Sequence, residues 1–147
     1  MNVGSYCHHR VITVHPQADL AEAAAHMRSN HVGLLVVVNP GDVRPIGVLT
    51  DRDIVVQVVA KNLSPAMITV ADAMTRDVVI AHEEEPLTTI SQRMRSNGVR
   101  RVPVVDDKGA LSGIIASDDI LDISATILSN LASATHKEQC SERRSKA

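Results

Sequence analysis

The tetrapeptide Met-Arg-Ser-Asn occurs twice, at residues 27–30 and 94–97. A chain that repeats itself at one offset folds as two copies of one unit, and that narrows the architecture more than composition does. At the offset of 67 (94 minus 27), Val3 falls on Val70, Cys7 on Met74, His15 on His82, Leu20 on Leu87, Val32 on Val99 and Val37 on Val104. One residue is then missing from the second copy, so that Gly47 meets Gly113. The division this predicts is a first repeat at 2–68, a second at 69–131 and a polar C-terminal tail at 132–147 that is mobile.

Both copies show the same order of periodicities. A β-like run (VITV at 11–14, VVIA at 78–81) leads through a polar turn to a helix. Its apolar stripe is Leu20, Ala24 and Met27 in the first copy and Leu87, Ile90 and Met94 in the second. A buried strand follows (LLVVV, VPVV), then a turn (NPGD, DDKG), a second strand and a closing helix at 54–60 or 120–131. The fold class is therefore α/β, sandwich-like in the α+β sense, with two tandem βαββα repeats related by a pseudo-two-fold axis. The closing helices carry more apolar surface than a small domain covers, which predicts a homodimer.

Totals exclude several classes of function. Of 147 residues, 15 are Lys or Arg and 17 Asp or Glu, so there is no general field for a phosphate backbone. Tyr6 is the single aromatic, which leaves almost nothing for unstacked bases to rest on. Nucleic acid is thus not an expected partner. The longest apolar run, LLVVV, is too short to cross a bilayer, and the first residues lack the apolar core of a signal peptide. With two cysteines and no CxxC spacing, the expectation is a soluble protein of the reducing cytoplasm, with no membrane partner.

Chemistry is concentrated where polar residues interrupt the apolar pattern. The segment GVLTDRDI (47–54) returns as GIIASDDI (113–120). Thr50 and Asp53 fit a capping box at a helix start. In the second copy Ala116 cannot cap, Ser117 offers a shifted cap, and Asp119 still stands six residues after its glycine, as Asp53 does. A carboxylate there has a further use, because its two oxygens can accept bonds from the adjacent hydroxyls of a ribose. A phosphate would then lie near the helix start, with Thr50 donating to it.

The duplicated unit, with VRRVPVVDDKG running into GIIASDDI and GVLTDRDI in the first half, resembles a tandem pair of cystathionine-β-synthase-type (CBS) domains over residues 2–131. The likeness is to the stand-alone bacterial type. It implies no catalysis in the pair itself, two clefts between the repeats for adenosine ligands, and a disc-shaped dimer. The ligand implied is an adenine nucleotide (AMP, ADP or ATP), with NAD and S-adenosylmethionine as further candidates. For the first cleft it implies Asp53 on ribose and Thr50 on phosphate beside Val48, completed by Thr75, Arg76, Val79, Val99 and Arg100. For the second it implies Asp119 on ribose beside Ile114 and Ser117, with the base near Ile12 and Val32. Arg101 matches a position that often points at phosphate.

The chain departs from the family pattern at Ala116, at Leu34 where the other half has Arg101, and at Val36 where it has Pro103. The two clefts are therefore expected to differ. Arg100 and Arg101 also fit a plainer reading as residues that are solvated or else salt-bridged to Asp106 or Asp107, and the HEEEP run at 82–86 fits a solvated turn. Cys7, His8 and His9 raise the thought of a metal, but Cys7 shares the register of Met74 and fits a small core residue. Two functions stand against each other: a regulatory sensor of adenosine ligands, and an interaction module with empty clefts that docks a target protein.

Overall fold

The computed structural model describes residues 1–146. Its elements are β1 (Thr13–Val14), α1 (Leu20–Asn30), β2 (Leu34–Val38), β3 (Pro45–Thr50), α2 (Asp51–Ile54), α3 (Val70–Ala73), β4 (Ala81–His82), α4 (Leu87–Asn97), β5 (Arg101–Val105), β6 (Leu111–Ala116) and α5 (Ser117–Ser145). Two three-stranded sheets form, β1-β2-β3 and β4-β5-β6, each with one parallel and one antiparallel pairing. The fold is thus mixed α/β in two copies.

The duplication reaches into the ladders. Val37 opposes Gly47 and Val104 opposes Gly113, and the register slips immediately after both pairs. The leading strands are shorter than the apolar runs suggest, two residues each. They also differ by one step: β1 starts opposite Val36, where Val36 N–H reaches the Ile12 carbonyl at 3.1 Å, whereas β4 starts opposite Val104. Pro103 has no N–H to give at the position of Val36, so the second ladder begins one residue later.

Two apolar cores result, and they are offset from the repeats as written. The first joins Leu20, Met27, Leu35, Leu49 and Val58 with Val70, Ala73 and Met74 from the second repeat. The second joins Leu87, Ile90, Met94, Val102 and Ile115 with Val3 and Cys7 from the start of the chain. Each half lends its leading segment to the other's core. In α1 the buried stripe is Leu20, Ala23 and Met27; Ala24, the expected member, is only half-buried.

Two expectations for the closing helices are corrected. The first is no regular helix: α2 ends after four residues and continues as a π-helical turn, Val55–Val59, with Ala60 N–H on the Val55 carbonyl at 2.9 Å. Four valines in five positions crowd a normal turn through their β-branches, and the wider turn relieves them. The second helix does not stop at 131; α5 runs 29 residues to Ser145, about 43 Å. No Gly or Pro interrupts it, Ala, Leu, Lys, Glu, Gln and Arg sustain it, and Asp118, Asp119, Arg143 and Arg144 match its dipole. The tail is polar and exposed as expected, but helical; its last residue, Ala147, lies outside the described residues. No helix among those residues is long and apolar enough to cross a membrane.

Candidate functional site

The glycines that open the repeated segment explain how two clefts arise. A Cβ on Gly47 would lie 2.6 Å from Met74 Sδ and 3.1 Å from the Thr75 carbonyl oxygen; on Gly113 it would lie 2.6 Å from Cys7 Sγ and 2.9 Å from the His8 carbonyl oxygen. Only glycine lets the leading segment of one half cross the strand of the other so closely. Reciprocal backbone bonds fasten each crossing, Val48 with Thr75 (3.0 and 2.9 Å) and Ile114 with His8 (both 2.9 Å). Beside each crossing, the carboxylate six residues after the glycine faces the other half.

The first cleft is a cavity of about 420 Å³ lined by Val48, Thr50, Asp53, Thr75, Val79, Val99 and Arg100. Arg76 stands apart: its Nη2 donates to the Ala71 carbonyl at 3.1 Å, and it opens on a different hollow with His82 and Arg93. The capping box is present. Asp53 N–H donates to Thr50 Oγ1 at 3.1 Å and Thr50 N–H donates to Asp53 Oδ2 at 2.8 Å. Capping and ligand recognition do not exclude each other here, because the box turns one carboxylate oxygen inward and leaves Oδ1 with no hydrogen bond among the described residues.

The second cleft, about 280 Å³, is lined by Ile12, Val32, Arg101, Ile114 and Asp119. Half of the box survives: Ala116 N–H donates to Asp119 Oδ2 at 2.8 Å. Ser117 supplies no shifted cap and does not line the cleft. It is the first helical residue, with its N–H on the Arg100 carbonyl at 2.8 Å and its hydroxyl 3.4 Å from Asp118. Asp119 Oδ1 is engaged by His8 Nε2 at 2.9 Å. His8, weighed in the sequence only as a metal ligand, and Arg10 and His31, not foreseen as site residues, also line this cleft. The repeat carries the signal for His8, since the offset of 67 that aligns the chain sets it on Thr75.

Leu34 and Arg101, equivalent in the two repeats, line both cavities. One guanidinium therefore stands at the junction of the clefts where a symmetric pair would have two. Arg100 lies 3.6 Å from Asp118, an exposed pairing that contributes little, and neither arginine pairs with Asp106 or Asp107.

The Arg93 guanidinium holds the Glu85 carboxyl below its ordinary range, through contacts of 2.6 and 2.9 Å, so one glutamate of the HEEEP turn is an ion-pair partner, not merely solvated. Burial, reinforced by the Glu83 charge, pushes the Cys7 thiol up, in keeping with a core residue. Among the described residues no three His, Cys, Asp or Glu side chains gather closely enough to hold a metal.

Comparison with known proteins returns the same pattern. The family model for the CBS domain matches residues 3–60 and 70–126. An uncharacterized protein of Methanopyrus kandleri is 33% identical over 139 residues, which cover 95% of this chain and 70% of that protein. Several longer curated relatives are matched over only 20 to 22% of their length. Among solved structures, a CBS domain protein from Pyrobaculum aerophilum complexed with AMP superposes with a TM-score of 0.78 at 25% identity, over 90% of this chain and 99% of that one. The CBS domain pair of protein MJ0100, in complex with 5′-methylthioadenosine and S-adenosyl-L-methionine, gives 0.76 at 29% identity, over 86% and 97%.

Proposed function

The chain belongs to the CBS-domain family, and we propose that it is a cytoplasmic regulatory module that senses an adenosine ligand through clefts shared by its two repeats. The observation that carries this reading is the first cleft. Asp53 is oriented there by its own helix start, with an outer oxygen left for a ribose diol. Val48, Val79 and Val99 offer the aliphatic walls a base needs in a chain with one aromatic residue. Arg100 and Arg101 offer forked donors for phosphate, which favours AMP, ADP or ATP and leaves NAD and S-adenosylmethionine as further candidates. Adenosine compounds in two structural relatives support the same ligand class. Two free cysteines suit a reducing compartment.

Because each cleft takes residues from both halves, a ligand binding there favours one relative arrangement of the halves over others, and that differential affinity is the signal. The reading assigns the chain no catalysis. It assigns a homodimer through the exposed faces of the closing helices, where Val59 is 71% and Leu128 67% exposed, and a protein target that reads the dimer's state.

Calorimetric titration with AMP, ADP, ATP, NAD and S-adenosylmethionine tests this. At least one should bind, and Asp53→Asn, which keeps an acceptor for the Thr50 amide, should weaken it at least about tenfold. Silence from all five at millimolar concentration overturns the reading. The rival, an interaction module with unfilled clefts, draws on the His8 contact that occupies Asp119. It predicts unchanged partner capture when both aspartates are replaced.

A further inference from the structure

His8 and Thr75 occupy equivalent places, each on the leading segment that crosses a glycine and each bonded through its backbone to the residue after that glycine. What differs is the side chain. Thr75 lines the first cleft and makes no hydrogen bond to Asp53; the imidazole of His8 reaches across the second and meets Asp119 Oδ1 at 2.9 Å. A carboxylate only accepts, so Nε2 carries the hydrogen of this contact. With Oδ2 already held by the Ala116 amide, both oxygens of Asp119 are engaged, whereas one oxygen of Asp53 is not.

We propose that His8 is a specificity-determining latch on the second cleft: it holds the carboxylate oxygen that a ribose diol would take, so that the first cleft fills at lower ligand concentration. The proposal rests on the adenosine reading above. The latch can yield, because the His8 side chain is 67% exposed and has solvent to swing into, while Asp119 is 23% exposed and stays fixed by its helix. An exposed pair of this kind is worth up to roughly fivefold in an equilibrium, which sets the size of the expected preference. Arg10, His31, Arg101 and Asp118 complete the polar and charged lining around the pair, and none of them hydrogen-bonds to Asp119 among the described residues.

The test uses 5′-methylthioadenosine, which presents a ribose diol without phosphate, and AMP. In an Asp53→Asn background, which weakens the first cleft, His8→Thr should tighten the second cleft about fivefold in a two-site calorimetric titration. The reciprocal Thr75→His in an Asp119→Asn background should weaken the first cleft by a similar factor. Unchanged or weaker binding with His8→Thr overturns the latch, as does silence of the second cleft both with His8 in place and after its replacement by threonine, while the wild-type chain still binds. Failure of the wild-type chain and every variant to bind either probe overturns the adenosine reading itself, and the latch with it.

Discussion

The two clefts have the same backbone and different side chains, and the contrast separates what the repeat needs in order to fold from what it is at liberty to vary. Glycine at the crossing, the carboxylate six residues on and its bond back to the helix start recur in both. The capping hydroxyl and the residue facing the carboxylate do not, Thr50 and Thr75 in the first cleft answering to Ala116 and His8 in the second, and at the junction of the clefts Leu34 answers to Arg101. Retained features make the crossing and orient the acid. Varied ones face the cavity, where change costs little stability and alters what can bind.

That comparison can be broken at several levels. The cores should be equally intolerant: Leu49 and Ile115 are equivalent and both fully buried, so Leu49→Ala and Ile115→Ala should each cost about 2–5 kcal/mol in urea unfolding. A loss under about 1 kcal/mol in one of them would mean the halves are not energetically alike. The crossings should be unequal. Gly113→Ala drives a methyl against the short Cys7 side chain and a carbonyl oxygen at 2.9 Å, whereas Gly47→Ala meets the flexible end of Met74 and a carbonyl at 3.1 Å. We expect about 1–3 kcal/mol for the former and less for the latter, by the same measurement.

Acid should expose a difference between the halves. Glu85 pairs with Arg93 in the second repeat, and the corresponding positions of the first hold Ala18 and His26. The Glu85 carboxyl is lowered in the folded state, so its contribution is present above the unfolded carboxyl range and is lost as pH falls through the folded value. Glu85→Gln should therefore cost about 1 kcal/mol near neutrality, with the gap closing on acidification in parallel unfolding curves. The caps differ least. Thr50→Ala should cost about 0.5–1 kcal/mol and Ala116→Thr should recover a similar or smaller amount, since the Asp119 half of the box is already in place. No gain at all from Ala116→Thr would show that the threonine position serves the cleft alone.

Most of the fold is legible in the sequence because duplication fixes the register twice over. The offset that aligns Leu20 with Leu87 also aligns the two glycines, and period and burial do the rest. The differences have physical causes. Polarity suggests a mobile tail, but it reports only exposure and says nothing against a helix already nucleated and free of Gly and Pro. The π-helical turn comes from a valine run whose apolar pattern looks helical while its branching resists the normal turn. Arg76 has the sequence position of a cleft residue beside Thr75, but the chain turns there and its guanidinium returns to the Ala71 carbonyl. His8 escapes any reading that takes the clefts one at a time, although the symmetry that puts Thr75 in one puts His8 in the other.

The most direct measurement of the central claim is a crystal structure of the wild-type chain soaked with AMP. The account predicts density in the cleft of Asp53, with the ribose hydroxyls on Oδ1 and the Thr50 amide still bonded to Oδ2. An unfilled cleft at saturating AMP, or a nucleotide bound there with its ribose turned away from Asp53, would contradict it.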